Sequence, residues 1–184
     1  MRTLKYAVLG LINRDPMTGY DLMKAFNLGL ANFWHARHSQ LYPELKKLTA
    51  EGLVTYETVI QGEKLEKKLY SITEAGRKAF FSWLSKQERP EPTPKDIFRL
   101  KAYFVEAMSK EDLLRQFGYQ LDQRKTKLAK LEETMRQHPY SREVEEILSP
   151  LYGDYIVLKG AIMRERAYVA WLLECMREIE TRSK

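Results

Sequence analysis

Ser39-Gln40-Leu41-Tyr42-Pro43-Glu44-Leu45-Lys46-Lys47-Leu48, closed by Glu51-Gly52-Leu53-Val54, is the stretch from which the fold can be read. Proline is tolerated only in the first turn of a helix, so Pro43 predicts a helix start near Ser39 to Tyr42, and Gly52 predicts its stop. Leu41, Leu45 and Leu48 recur at i, i+4 and i+7 and make one apolar stripe. Pro43, Lys46, Lys47 and Ala50 fall about 180° away, with Ser39, Gln40 and Tyr42 on the leading turn. A short helix with a leucine underside, a two-lysine outer face and a polar N-terminal turn is shaped to enter a DNA major groove. Taken alone, it also suits a surface helix whose lysines are merely solvated.

The flanks favour the first reading. Upstream, Leu4, Val8, Leu11 and Ile12 fit a helical face that Asp15-Pro16 ends, which predicts a helix over residues 3 to 13. Thr18-Gly19-Tyr20-Asp21 reads as the N-cap of a second helix, with Leu22, Met23, Phe26 and Leu30 on its buried side. The aromatic segment Asn32 to His38 leads into the third helix. Downstream, Val54 to Ile60 is β-branched and aromatic, Gln61-Gly62-Glu63-Lys64 reads as a turn, and Leu69 to Ile72 is the return strand. Three helices followed by a β-hairpin is the layout of a winged helix-turn-helix. Lys64, Lys67 and Lys68 are expected at the hairpin tip, beside the phosphates flanking a groove, with Glu63 and Glu66 partly offsetting them. Thr73 then caps a helix buried through Ala79, Phe80, Trp83 and Leu84.

Residues 88 to 96 hold three prolines and cannot form regular helix, so they mark a semi-rigid linker. This divides the chain into a winged domain, residues 1 to 87, and a helical domain, residues 97 to 184. The latter reads as helix throughout: Ile97 to Met108 as one segment, then a helix capped at Ser109 with Leu114, Phe117, Leu121, Leu128, Leu131 and Met135 at 3-4 spacing and Arg124 in register. His138-Pro139 stops it. A short apolar segment around Val144, Ile147, Leu148 and Leu151 is expected before a break at Gly153. Leu158, Ile162, Val169, Leu172, Met176 and Ile179 then repeat the spacing with Glu165 in the seam. Two such seams cannot cover each other fully, so a second copy of the chain is the expected cover; a monomeric antiparallel hairpin is the alternative. The fold class is therefore mainly α with a small β-hairpin.

Charge agrees with this division. The chain of 184 residues carries a net +6. Residues 1 to 86 hold 13 Lys and Arg against 8 Asp and Glu, net +5, whereas residues 87 to 184 hold 18 against 17, net +1. A polyanionic partner is expected for the N-terminal half. One cysteine, Cys175, cannot form an internal disulfide, and three scattered histidines make no metal cluster, so no metal or cofactor is expected in a reducing, cytoplasmic setting. No apolar run reaches the ~18 residues that span a bilayer, and Leu4 to Ile12 is amphipathic with no cleavage site after it, so neither membrane segment nor signal peptide is expected. His35 and His38 could be imagined in acid-base work, but without nucleophile motif, phosphate loop or metal spacing the chain does not read as an enzyme. A protein-interaction module remains an alternative. A-form RNA, whose major groove is too narrow for such a helix, is disfavoured.

Leu4-Lys5-Tyr6-Ala7-Val8-Leu9-Gly10-Leu11, Thr18-Gly19-Tyr20-Asp21, Phe33 to Leu45 and Ile60 to Tyr70 together resemble the PadR family of bacterial transcriptional regulators. Leu100 to Phe104, Tyr155 to Leu158 and Tyr168 to Leu172 are similar to its phenolic-acid-responsive branch. The resemblance implies a homodimer held by the C-terminal helices, and repression of phenolic acid stress genes such as a phenolic acid decarboxylase, relieved by p-coumaric or ferulic acid. A regulator answering to other small molecules is the alternative within the family. Asp154 departs from the branch, where a histidine is expected.

Gln40 and Tyr42 are then the expected base-edge readers: an amide can pair bidentately with adenine, and a phenol can donate or pack against a thymine methyl. Lys46, Lys47, Lys64, Lys67 and Lys68 are expected on phosphates, with Ser39 bonding one through hydroxyl or backbone. A phenolic acid needs apolar walls, a cation and an acceptor. Tyr20, Phe33, Trp34 and His38 beside the reading helix, and Arg99, Tyr103, Tyr155, Lys159, Tyr168 and Trp171 in the C-terminal half, are the expected effector-binding residues. Ligand held between the two sets would change the angle of the reading heads.

Overall fold

A computed structural model describes residues 2–27, 38–61, 65–89, 95–137 and 147–182. In chain order the elements are α1 (Thr3–Arg14), β1 (Met17–Thr18), α2 (Gly19–Ala25), α3 (His38–Ala50), β2 (Val54–Gln61), β3 (Leu65–Ile72) and α4 (Glu74–Leu84). They are followed by α5 (Ile97–Tyr103), a 3₁₀ turn (Val105–Ala107), α6 (Lys110–Gln137) and α7 (Pro150–Thr181). The chain divides into two compact units, Met1–Arg89 and Pro90–Lys184. Residues 90 to 94 of the expected linker, Leu30 in the second helix, and Val144 lie outside the described residues.

The first unit is a winged helix-turn-helix. Its core gathers Val8, Leu9, Leu11 and Ile12 of α1, Leu22 of α2, Phe26, the three leucines of α3, and Val54, Tyr70 and Ile72 of the sheet. Thr18 begins α2 with a capping box: its hydroxyl accepts from the Asp21 amide, and the Asp21 carboxylate accepts from the Thr18 amide. The sheet has three strands in the order β1-β3-β2, all antiparallel, where the sequence suggested two. Met17 pairs with Tyr70 and Thr18 with Leu69, which ties the entrance of α2 to the wing. β3 also starts earlier than expected, so Lys67 and Lys68 stand within a strand, opposite Val59 and Thr58, and not at the tip. Leu84, expected inside, is exposed at the last position of α4.

The second unit is an antiparallel pair of long helices with α5 against it. Phe98, Phe117, Leu121 and Leu172 form one buried cluster; Leu131, Leu158, Ala161 and Ile162 form another. Lys110 donates to the carbonyls of Glu180 (3.1 Å) and Arg182 (3.3 Å), closing the C-terminal end of α7. Two expectations are corrected. The segment from Ile97 is not one helix to Met108, because Phe104 at φ −107°, ψ 41° ends α5 before the 3₁₀ turn. Gly153 breaks nothing: Ser149 caps α7 by accepting from the Tyr152 amide at 3.2 Å, Pro150 occupies the first turn, and Gly153 is carried inside the helix.

Candidate nucleic-acid interface

The geometry of α3 follows from its leucines. Leu41, Leu45 and Leu48 are completely buried, so the opposite face is turned outward by the helical period. That face carries Ser39, Gln40, Tyr42, Lys46 and Lys47, all exposed. Pro43 lies in the second turn, a turn deeper than the sequence suggested, and removes the amide that would have bonded the Ser39 carbonyl. The exit is a Schellman turn: the Leu53 amide donates to the Leu48 carbonyl (2.9 Å), the Gly52 amide to Thr49 (3.0 Å), and Gly52 takes φ +68°. Thr73 donates its hydroxyl to the Gly52 carbonyl at 2.8 Å, so the start of α4 fixes the end of α3.

A clamp at the other side sets the helix's roll. Glu44 is buried on the flank of α3 and accepts from Arg2 Nε at 2.8 Å. Arg2 also bonds Glu51 (2.5 Å), which Lys5 Nζ meets at 3.1 Å. Nothing in the sequence pointed to Glu44, whose partner lies 42 positions away. The Arg2 hydrogen bond, against the opposing effect of burial and with help from Lys5, lowers the Glu51 carboxyl to about 2. A depressed carboxylate contributes stability above its unfolded value and loses it as pH falls through the folded one. The melting temperature of the wild type should therefore fall between pH 4.5 and pH 2 more steeply than that of Glu51→Gln. The clamp is partly exposed, so the difference should be below about 1 kcal/mol; parallel curves would deny the clamp any role.

Beside the outward face of α3 lies a cavity of about 370 Å³ lined by residues of four elements: Thr18 of β1, Gly19 and Tyr20 of α2, Tyr42 of α3, and Glu66, Lys67, Lys68 and Tyr70 of β3. Two of the expected phosphate lysines, Lys67 and Lys68, thus join Tyr42 at one site. Lys68 Nζ stands 4.0 Å over the ring of Tyr56. Burial raises the Tyr70 phenol above its ordinary value. Tyr20, expected among the effector residues, opens onto this same cavity. Lys64, Phe33, Trp34 and the side chain of His38 lie outside the described residues.

The remaining effector candidates divide into three groups. Arg99, Tyr168 and Trp171 come together: Tyr168 stands edge-on to Trp171 at 5.1 Å, and Arg99 lies 5.8 Å from the Tyr168 ring. Asp96 caps α5 through the Arg99 amide and also accepts from Arg99 Nε (3.1 Å) and the Tyr168 hydroxyl (3.3 Å). Burial opposes its ionisation, but these bonds prevail and hold its carboxyl below the ordinary range. Tyr155 forms a second group with Lys159 Nζ, 5.6 Å from its ring, and with Tyr152. Tyr103 stands apart, exposed and edge-on to Phe104. Trp171 also lines a second cavity, about 340 Å³, with Ala102, Val105, Phe117, Cys175 and Arg182 among its walls. Burial and the nearby Glu178 and Glu174 raise the Cys175 thiol, which disfavours the reactive thiolate. Among the described residues no group of His, Cys, Asp and Glu is arranged to hold a metal ion, and no helix is long and apolar enough to cross a membrane.

The sequence matches two family profiles, the transcriptional regulator PadR-like family over residues 8–81 and the virulence activator alpha C-terminal family over residues 94–180. It is 43% identical over 180 residues to the negative transcriptional regulator PadR of Bacillus subtilis (strain 168), covering 98% of this chain and 99% of that protein. The crystal structure of B. subtilis PadR in complex with operator DNA superposes with a TM-score of 0.88 at 43% identity, covering 97% of this chain and 99% of that one. Its structure in complex with p-coumaric acid gives 0.86 at 38% identity, covering 98% and 97%.

Proposed function

The chain belongs to the PadR-like family of transcriptional regulators, and from that premise we propose that it is a repressor that binds operator DNA through α3 and the wing and lets go when it binds a phenolic acid. The observation that carries the reading is the exposed face of α3, with Gln40, Tyr42, Lys46 and Lys47 outward over three fully buried leucines, in a chain related end to end to a regulator crystallised on operator DNA. Gln40 and Tyr42 read base edges in the major groove; Ser39, Lys46, Lys47, Lys67 and Lys68 hold phosphates. The family regulates transcription and does no catalysis.

The protein acts as a homodimer through its C-terminal helices. Supporting this, the second unit exposes Ile97, Leu100, Tyr103, Tyr119, Leu148 and Met163, of which Tyr103 is 79% and Leu148 89% accessible in the single chain. Large apolar side chains this accessible on the second unit suit cover by a second copy of the chain. A two-fold dimer sets two α3 helices in successive major grooves, roughly 34–36 Å apart, on a pseudo-palindromic operator. Such work belongs in the cytoplasm, where the DNA is.

For the effector, the relative's complex with p-coumaric acid supports a flat phenolic acid. The second cavity, at the small end of ligand pockets, offers aromatic and aliphatic walls, and Trp171 connects it to Tyr168 and Arg99. We assign the ring to the Trp171 wall and the carboxylate to Arg99. Repression is lifted because ligand binds one arrangement of the dimer better than the DNA-bound one. A gel shift on a duplex selected by this chain from a random library, repeated with p-coumarate, should show release of DNA. Calorimetric titration should show Arg99→Ala weakening p-coumarate about tenfold, the cost of one charged hydrogen bond. Unchanged affinity in Arg99→Ala removes the pocket assignment, and unreleased DNA removes the effector class.

A further inference from the structure

Gly19 sits at the first position of α2, buried, in the wall of the cavity that Tyr42 shares with Lys67 and Lys68. A methyl group on its Cα would lie 2.7 Å from Tyr42 Cε1, 2.9 Å from its hydroxyl oxygen and 3.0 Å from Cζ. The phenol end of Tyr42 therefore lies directly on bare backbone, closer than any side-chain-bearing residue would allow. The backbone beneath is held from two sides, by the Thr18–Asp21 capping box and by the pairing of Thr18 with Leu69. Gly19 is not needed for an unusual turn, since Gly52 is the only residue at positive φ among those described.

We propose that Gly19 is a specificity-determining residue that touches no DNA: by lacking a side chain it seats the Tyr42 ring on the N-terminus of α2 and so fixes where the phenol meets the base edges. This deepens the operator-reading role of Tyr42 proposed above and rests on it. Tyr42 is 46% exposed, so a methyl at Gly19 displaces the ring toward solvent and leaves the core in place. Alanine is also at least as well suited as glycine to a helical position, so the fold tolerates it. The loss falls on recognition.

The test is fluorescence anisotropy of the full chain, wild type, Gly19→Ala, Tyr42→Ala and the double variant, on the library-selected duplex and on a scrambled duplex of the same length. Gly19→Ala should bind the selected duplex about tenfold more weakly, within the range for one base contact, with binding to the scrambled duplex and the melting temperature unchanged. In the Tyr42→Ala background it should cost nothing further, because the ring it displaces is gone. Full affinity in Gly19→Ala while Tyr42→Ala is impaired overturns the seating role alone. Equal losses on both duplexes, or losses that add in the double variant, overturn it as well. Full affinity in Tyr42→Ala overturns the premise that Tyr42 reads bases, and the seating role with it.

Discussion

Raising monovalent salt from 50 to 200 mM should weaken operator binding by roughly three to five orders of magnitude, the loss expected for about eight neutralised phosphates. The four lysines of each protomer that the proposed interface sets on phosphates would supply that number: Lys46 and Lys47 on the outward face of α3, and Lys67 and Lys68 on β3. Each phosphate contact releases condensed counterions, so the logarithm of affinity falls linearly with the logarithm of salt, with a slope near −0.9 per contact. Replacing Lys46 and Lys47 together with alanine removes four contacts from the dimer and should flatten the slope by about 3 to 4. The wing lysines are less free to contribute. Lys68 is engaged over Tyr56, and Lys67 is half-buried against the Tyr42 cavity, so a Lys67→Ala, Lys68→Ala pair should flatten the slope less. Anisotropy titrations at five salt concentrations measure all three slopes. A wild-type slope near zero removes the electrostatic account of binding. An unchanged slope in the Lys46, Lys47 variant takes α3 off the phosphates.

How much of this was legible depended on how local the determining interaction is. The 4-3 spacing of Leu41, Leu45 and Leu48 fixed which face of α3 is buried, and Gly52 fixed its exit, because both are decided within one or two helical turns. The cap of α2 was legible for the same reason. Strand β1 was not: two residues have no period, and Met17–Thr18 are a strand only because β3 presents them an edge. Gly153 misled because helix propensity is a weak local preference, overridden where packing of α7 on α6 is strong. The burial of Glu44 depends on Arg2, and the proximity of Gly19 to Tyr42 depends on the packing of α2 on α3. Neither distance leaves a trace in composition or spacing. In the second unit the sequence placed Arg124 and Glu165 in their seams, but only the mutual register of α6 and α7 makes them a pair.

That pair supports the second large effect. Glu165 is 5% exposed and accepts from Arg124 at 3.1 Å and from Lys127 at 2.7 Å, while the Arg124 guanidinium lies 3.9 Å from the Tyr168 ring. Tyr168 in turn bonds Asp96, so one carboxylate connects α6 and α7 to the cap of α5. Arg124→Ala leaves that carboxylate buried with Lys127 alone, whose side chain is 55% exposed and screened by water. Stranding a buried charge costs about 3–5 kcal/mol, and with one partner remaining the loss should be about 3, read from chemical denaturation at pH 7. Glu165→Leu should cost far less, because it removes the buried charge and leaves Arg124 and Lys127 able to reach solvent. The pH dependence separates this from simple loss of packing. In the wild type burial raises the Glu165 carboxyl, but the bonds and charges of Lys127 and Arg124 outweigh it and hold the group below its ordinary value. Its contribution is present at neutral pH and is lost as pH falls through the folded value. Without Arg124 the burial effect gains, the carboxyl titrates higher, and the penalty shrinks once it is protonated. The gap between wild type and Arg124→Ala should therefore narrow from pH 7 to pH 4, whereas a gap that stays constant would assign the loss to the packing of Arg124 on Tyr168.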